Sequence, residues 1–390
     1  MRPSLNPTVA RAAVTVSLIL ALASGSAAPA PKAPLLRAGA SAVDITPKLF
    51  PLSVPGLFTP RKAESAHDPL HARALVFDDG ATTVALVVVD NIQVAQEASD
   101  EAKAIASKQC GIAVEKILVA STHTHTSPPS NVKAGPAPEV AYRKVLVAGI
   151  AESIVRAHTA LRPAGVGAAV SPLPEEVFCR RWFLKPGKMQ PNPFGQMDKV
   201  RTNPGTSPDV IDRPAGPTDP DLTILSVQDA KSDKPLALLA NYSLHYVGGV
   251  PEGMISADYY GEFARVMQSR MGGGDFVAIM SNGTSGDINN NPFLVKRPPR
   301  KPFEQIQIVA EKAAECASRA HATVTTHRQD ACLGMIQRQV TLKVRHPTAQ
   351  QIAEAKAVLA VKDQAGRDML PRLAEAYARR TLELAKAPEN

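Results

Sequence analysis

The feature that most limits the fold is a regular exchange of strand-like and helix-like segments between residues 72 and 161. "ARALVFDDGATTVALVVVDN" predicts two strands joined at Asp78-Asp79-Gly80, where glycine supplies the positive φ that a tight turn needs. "QVAQEASDEAKAIASKQC" has a helical period and stops before Gly111, a typical C-cap. A short buried strand, "EKILVAS", and a long helix, "EVAYRKVLVAGIAESIVRAHTAL", follow. This alternation predicts an α/β fold, with a layered mixed β-sheet core flanked by helices.

The later part of the chain continues the pattern after one interruption. Residues 171–220 are rich in Pro, Gly and Asn and have no sustained period, which predicts a functional wall or lid over a site. Strands are then predicted at "DLTILSVQD", "KPLALLANYSLH" and "DFVAIMS", and helices at "ADYYGEFARVMQSRM" and 302–322. A strand over "LGMIQRQVTLKV", residues 333–344, and a helical C-terminal segment are expected to end the chain.

The first residues have the composition of an export signal. Arg2 and Arg11 precede an apolar run from about residue 12 to 23, and small residues follow, with cleavage expected near Ala27. The run is shorter than the ~20 residues that a bilayer span requires. Residues 1–27 are therefore predicted to be a signal peptide, and the mature protein is expected in the periplasm or outside the cell.

The charge distribution argues against nucleic acid as a partner. The formal charge of +8 falls to +6 when Arg2 and Arg11 are removed, and the only dense basic cluster is "KRPPRK" at 296–301, which has no aromatic residues among it. A phosphate-binding surface needs a concentrated basic patch, so loose contact with anionic lipid is the remaining electrostatic role. The oligomeric state is not predicted.

The four cysteines, Cys110, Cys179, Cys316 and Cys332, have no CxxC spacing, which excludes a structural zinc knuckle. In an exported protein they allow one or two disulfides, and the sequence does not pair them.

Three apolar strands each end in a polar cluster. "KILVAS" leads into His123 and His125, "LALLANYSL" into His245, and "FVAIMS" into a loop that contains Asn282, Asp287 and Asn289. Because ligands in α/β proteins bind beyond the carboxyl ends of strands, these clusters are expected to meet there. Taken alone, the histidines are candidates for metal ligands, catalytic groups or solvated loop residues.

Six segments in order resemble the neutral, non-lysosomal ceramidase family, specifically the N-terminal catalytic domain in its short bacterial branch. They are "AVDITP" (42–47), "HDPLHARALVFDDG" (67–80), "STHTHTSP", "NYSLHYVGG", "ISADYYGEFARVM" and "NGTSGDINNN". The resemblance implies a zinc-dependent hydrolase of the N-acyl bond of a ceramide-like lipid or a related ester. It implies a catalytic domain over residues 38–390.

The resemblance also implies roles for individual residues. His123 and His245 match the family's zinc ligands, and His125 matches the group that stabilises the developing oxyanion. Arg180, in "FCRRW", matches an active-site arginine, although Cys179 replaces the asparagine that usually precedes it. The polar loop residues Asn282, Asp287 and Asn289 are expected to bind substrate.

Two departures from the family pattern bear on activity. The family's proposed nucleophilic serine is replaced by Asn289, and an amide cannot act as that nucleophile, so catalysis is expected to use metal-activated water. The family's later glutamate and tyrosine ligands are not found, which implies that the C-terminal part of the family domain is missing; Asp90, Asp258 and Asp287 are candidate replacements. The alternative function is a catalytically inactive remnant or binding protein.

Overall fold

The computed structural model describes residues 35–56, 61–371 and 373–388. The predicted signal peptide, residues 1–27, lies outside this part of the chain. The strands are β1 (Arg37–Asp44), β2 (Leu52–Val54), β3 (Arg61–Ala66), β4 (His71–Asp78), β5 (Thr83–Val89), β6 (Ile117–Ser121), β7 (Arg162–Pro172), β8 (Phe178–Cys179), β9 (Arg181–Leu184), β10 (Arg201–Thr202), β11 (Ile211–Pro214), β12 (Asp221–Asp229), β13 (Pro235–Tyr242), β14 (Gly253–Ile255), β15 (Val277–Asn282) and β16 (Ile288–Asn289). The helices are α1 (Gln96–Cys110), α2 (Ala137–Thr159), α3 (Asp258–Arg270), α4 (Glu304–Ala322), α5 (Ala349–Ala360), α6 (Gln364–Asp368) and α7 (Ala374–Leu384).

Eight strands form the main sheet in the order β15-β13-β12-β7-β1-β4-β5-β6. The pairs β5/β6 and β13/β15 are parallel and the other neighbours are antiparallel, so the sheet is mixed. Three small sheets, β10-β9-β11, β14-β3-β2 and β16-β8, complete the set. The predicted α/β class and mixed sheet are confirmed.

The side chains of the sheet pack in three layers. One outer layer joins α1 and α2 to the β4 and β5 arm, and the other joins α3 and α4 to the β12, β13 and β15 arm. The inner layer contains residues from both arms, such as Phe77 and Val88 from one and Val227 and Ile279 from the other. Within β4, Ala74 and Val76 belong to the outer layer whereas Leu75 and Phe77 belong to the inner one, as the two-residue period of a strand requires. The sheet therefore bends so that its two arms share one core.

The bend brings the two edge strands together at one end. Asn282, the last residue of β15, donates a 2.6 Å hydrogen bond from its side-chain amide to the carbonyl of Thr122, just after β6. Its amide oxygen accepts a 2.9 Å bond from the hydroxyl of Tyr260 in α3. The carboxyl ends of β6, β13 and β15 consequently lie at one place, as the sequence predicted.

The predicted strand at 333–344 is wrong, because this segment has no regular secondary structure. Its alternating apolar residues Leu333 and Met335, with Ala331, pack against the inner layer instead. Side chains satisfy two of its backbone groups: Asp79 accepts from the amide of Leu333 at 2.7 Å, and Lys116 donates to the carbonyl of Met335 at 2.7 Å. The alternating apolar side chains of this segment therefore pack against the inner layer, although its backbone pairs with no strand.

The long segment at 171–220 is more regular than its composition predicted, since it contains β8, β9, β10 and β11. Trp182 and Ile211 from this segment pack with Phe293 in a small cluster of their own. All four cysteines are free thiols, so none of the disulfides considered from the sequence is formed. No helix in the described part of the chain has the length and hydropathy to cross a membrane.

Candidate metal and catalytic site

His123 is held in a constrained backbone conformation at the end of β6. Its φ is +68°, a left-handed value that is unusual for a residue with a Cβ. Its amide donates to the carbonyl of Asn91 at 2.9 Å, and its Nδ1 lies 2.7 Å from the carbonyl oxygen of Ile92. An Nδ1–H that donates to Ile92 leaves the Nε2 lone pair free to face the site.

His245 approaches from the other arm of the sheet, three residues after β13. Its side chain is buried, and its Nδ1 lies 2.9 Å from the carbonyl oxygen of Ser285, in the loop that follows β15. Because β13 and β15 are parallel neighbours, this loop and His245 leave the sheet on the same side. The bond to Ser285 directs the Nε2 of His245 toward the same centre as that of His123.

The ring of His125 forms a triangle with these two rings, with centroid distances of 4.8 and 5.2 Å to His123 and His245. Its Nε2 is 3.3 Å from Nε2 of His123 and 3.2 Å from Nε2 of His245. The ring of Tyr246 stacks on His125 at a centroid distance of 3.7 Å and an interplanar angle of 17°. The Nδ1 of His125 is buried, and the backbone of Gly56 is the neighbour whose hydrogen bonding acts to raise the pKa of this ring.

The surroundings of His125 and His245 favour neutral imidazole. Burial, followed by repulsion from His123 and His245, lowers the pKa of His125 to about 3. Burial is also the largest cause that lowers the pKa of His245 to about 4, while its bond to Ser285 opposes the shift. Neutral imidazole is the form that binds metal ions.

The three histidines fit a divalent transition metal. One nitrogen from each residue lies within 4.8 Å of the other two, and they are the only such group of three or more His, Cys, Asp or Glu side chains in the described residues. A catalytic zinc site commonly has three protein ligands and one open position. Two of the three tautomers are fixed by backbone carbonyls, as is usual for metal-binding histidines.

The acidic residues considered as replacement ligands do not belong to this group. Asp90 is fully buried and forms a 2.6 Å ion pair with Arg73. Asp258 accepts hydrogen bonds from the amides of Val247, Gly248 and Tyr259. Asp258 and the Oδ2 atom of Asp90 are therefore bonded to neighbouring protein groups, while the Oδ1 atom of Asp90 is buried without a hydrogen-bond partner in the described residues.

Arg180 lies beside the histidines. Its positive charge contributes to the lowered pKa values of both His125 and His245. Its Nη2 donates to the carbonyl of Gly286 and its amide donates to the carbonyl of Asp287 at 2.8 Å, while its Nε is buried without a partner in the described chain. Burial lowers the pKa of the guanidinium. The loop after β15 thus holds Arg180 at the site, and the Nε–H group of Arg180 forms no hydrogen bond within the described residues.

The three predicted substrate-binding residues have different surroundings. The side-chain nitrogen and the side-chain oxygen of Asn282 both form hydrogen bonds within the protein, as described above, which favours a structural role. Asn289 donates to the side-chain oxygen of Asn203 at 2.8 Å, and its own oxygen forms no hydrogen bond within the described residues. The carboxylate of Asp287 likewise forms no hydrogen bond there, and it acts on the charge of Arg180. Asp287 and Asn289 remain the better candidates for substrate contacts.

Two residues of the site were missed by sequence analysis. Tyr246 directly follows His245 in "NYSLHYVGG", but nothing in that spacing predicts a ring stacked on His125. Gly56 lies against the backbone of His125, where an added Cβ would be 2.2 Å from the carbonyl oxygen. The carbonyls of Ile92 and Ser285, which bond to His123 and His245, also could not be predicted, because a backbone carbonyl does not depend on the identity of the side chain.

The fold and site together define an α/β protein with three convergent imidazoles at the carboxyl ends of its strands. Residues 36–294 match the family model described as "Neutral/alkaline non-lysosomal ceramidase, N-terminal", and the chain belongs to this family. No curated protein matches the sequence.

Two solved structures share the fold. The neutral ceramidase from Pseudomonas aeruginosa matches with a TM-score of 0.58 and 19% identity, over 75% of this chain and 45% of that chain. A structure described as ceramidase complexed with C2 matches with a TM-score of 0.58 and 18% identity, over 75% of this chain and 44% of the other. The matched region is thus less than half the length of either relative.

Proposed function

We propose that this chain is an exported, zinc-dependent hydrolase of an N-acyl amide in a ceramide-like lipid, or of a related ester. The observation that carries the proposal is the convergence of three Nε2 atoms, with separations of 3.3 and 3.2 Å, from two distant parts of the sequence. Membership of the ceramidase family supports the reaction class and the lipid substrate.

In this proposal His123 and His245 hold the metal through Nε2. A bound zinc ion would supply Lewis-acid polarisation of the scissile carbonyl and activation of a water molecule. The carbonyls of Ile92 and Ser285 keep the two Nε2 lone pairs directed at the centre, so the protein does not have to reorganise when metal binds.

His125 and Arg180 are the proposed catalytic groups. The Nε2 of His125 faces the centre, so this residue is placed to donate to the oxygen on which negative charge develops. The stacked ring of Tyr246 limits rotation of the imidazole. The partly buried guanidinium of Arg180 is suited to orienting a carbonyl or carboxylate.

Asn289 argues for direct attack by water over an acyl-enzyme. A side-chain amide is not a nucleophile, so no acyl group is transferred to residue 289. Because Asn203 holds its amide nitrogen, the amide oxygen of Asn289 is available to accept a hydrogen bond from substrate. Asp287, on the same loop, is the proposed second polar contact.

The experiment combines metal analysis with a hydrolysis assay on N-dodecanoylsphingosine and a matched ester. The parent protein should keep about one equivalent of zinc after dialysis and release fatty acid. A His123→Ala/His245→Ala double variant should lose both properties, whereas His158→Ala, on α2 and outside the three-histidine group, should keep them. A parent that binds neither zinc nor another divalent metal would overturn the proposal. Lipid binding without hydrolysis would establish the alternative, an inactive binding protein.

Export and peripheral membrane contact belong to the same proposal. The charge arrangement of residues 1–27 supports export, and the basic cluster at 296–301 supports weak attraction to anionic lipid. Fractionation of cells that express the full chain, with N-terminal sequencing of the product, tests the first. A product that stays in the cytoplasm with its original N-terminus would overturn export.

A further inference from the structure

A groove runs between the long segment after β9 and the C-terminal helices. It has two neighbouring parts, with volumes of about 730 and 300 Å³, and Pro193 and Pro371 line both of them. These volumes fall in or near the ~300–1,000 Å³ range of small-molecule sites. A separate cleft of about 610 Å³, lined by α2, α3 and the start of β15, has four arginines, each paired with a carboxylate.

One wall of the groove is a tight turn built by Asn192. Its side-chain oxygen accepts from the amides of Phe194 at 2.9 Å and Gln196 at 3.0 Å, and its side-chain nitrogen donates to Asp198 at 3.0 Å. The turn presents Phe194 edge-on to Tyr377 of α7, with ring centroids 5.8 Å apart. The aromatic pair therefore stands where the two parts of the groove meet.

The opposite wall is made by small residues on α5 and α7. Ala355 of α5 and Ala374 and Ala378 of α7 are buried, and their short side chains leave the narrow apolar part of the groove open between the helices. Among the residues that the structure describes, Glu354 is the only charged one that lines this part.

Asn203 lines the wider part of the groove and links it by hydrogen bonds to residues of the candidate active site. The side-chain oxygen of Asn203 accepts from Asn289, and its amide donates to the carbonyl of Arg180 at 2.8 Å. Polar residues such as Asp198, Arg201 and Asn203 line this end, and apolar ones line the far end. The wider part thus contains charged and amide side chains among its apolar ones, whereas the narrow part is almost entirely apolar.

We propose that this groove binds the long hydrocarbon chain of an amphiphilic substrate, with the polar head at the Asn203 end and the chain extended past Phe194 toward α5 and α7. Its link to the reaction rests on the function proposed above, although its affinity for a hydrocarbon chain does not. Met369, which lines the wider part and is 86% exposed, offers apolar surface at the entrance. The helices that form the far end lie beyond residue 294, outside the region matched by the family model.

Ala357 provides the test, because it is exposed and lines the narrow part of the groove. Ala357→Trp should fill that part without disturbing a buried side chain. Ala349→Trp, at the exposed first residue of the same helix and outside the groove, is the matched control. The probe is cis-parinaric acid, a fatty acid whose fluorescence rises when its chain leaves water.

The full-length parent should bind the probe, and Ala357→Trp should raise the Kd about tenfold or more. Ala349→Trp and His245→Ala should bind as the parent does, because neither change touches the groove. If the parent does not bind the probe, or if Ala357→Trp binds it as tightly as the parent does, the proposed role of the groove is wrong, whether or not the protein hydrolyses amides.

A second measurement links the groove to turnover. The KM for an N-dodecanoyl amide should rise about tenfold in Ala357→Trp, while the KM for the N-acetyl amide of the same amine should not change. An equal change for both chain lengths would show that the groove does not hold the substrate chain. Since probe binding requires no metal and no turnover, a protein that binds the probe but lacks hydrolysis would contradict only the proposed function.

Discussion

The Nε2 atom of His125 lies 3.2 Å from the Nε2 of His245, a residue 120 positions later in the chain. The two belong to opposite arms of a single sheet, and they meet only because the sheet bends until its edge strands approach each other. The bend is maintained by the shared inner layer and by the hydrogen bond from Asn282 to Thr122. The convergence of the three histidines therefore depends on the tertiary fold of the whole sheet.

The three histidines should separate into two classes on substitution. His123→Ala and His245→Ala should each remove most of the bound metal, because each loses a nitrogen whose direction is fixed by a backbone carbonyl. His125→Ala should keep most of the metal and lower kcat about 10²- to 10³-fold, the usual cost of losing one oxyanion donor. Metal content by mass spectrometry and kcat are the two measurements. If His125→Ala lost metal as completely as the others, His125 would be a third ligand and not the oxyanion group.

Gly56→Ala should reduce activity through His125. A Cβ at this position would lie 2.2 Å from the carbonyl oxygen of His125, so the backbone there must move. A displacement of about 1 Å at a catalytic group can cost on the order of 10²-fold in rate. The measured quantity is kcat, with Tm to confirm folding. Gly216→Ala is the control, because an added Cβ there has no atom within 4 Å; equal rates in the two variants would contradict the prediction.

The regular strands and helices of this fold could be predicted from the sequence because each follows the hydrophobic period of its own type of secondary structure. The strands β4, β5 and β12 and the helices α1, α2 and α3 lie where alternating or helical patterns predicted them. The grouping of His123, His125 and His245 was also predictable, since each follows an apolar strand and the carboxyl ends of such strands share one edge of the sheet.

The features that the sequence did not predict depend on contacts between distant parts of the chain. The tautomers of His123 and His245 are set by the carbonyls of Ile92 and Ser285, and every residue has a carbonyl, so no side-chain pattern identifies those two. The segment around Leu333 and Met335 has a strand-like alternation, but it packs on a finished core with no strand partner. Long-range packing decided both outcomes.

Asn282→Ala should destabilise the protein more than a typical surface substitution. The change removes the bond to Thr122 and leaves the hydroxyl of the buried Tyr260 without its acceptor. An unsatisfied buried polar group costs about 1–3 kcal/mol, and that loss should be seen in the free energy of unfolding measured in urea. Asn241→Ala is the control. It removes two hydrogen bonds, to Ser281 and Asn282, that are exposed to solvent, so it should lower the free energy of unfolding less. Equal costs would show that the bridge between the edge strands contributes nothing special to stability.

Asp258 should make stability depend on pH between about 4 and 6. Burial raises its pKa to about 6, although three backbone amides and their hydrogen bonds oppose the shift. The ordinary pKa of aspartate is about 3.9, so between these values the folded protein binds more protons than the unfolded chain does. The stabilising effect of the proton is fully present below about pH 4 and is lost as the pH rises through about 6. The two-unit difference corresponds to roughly 2–3 kcal/mol, at about 1.4 kcal/mol per unit. Urea unfolding from pH 4 to pH 7 measures the slope, and Asp258→Asn, which cannot titrate, should lose this component even if its absolute stability is lower. The prediction is contradicted if the parent and Asp258→Asn show the same slope over that range.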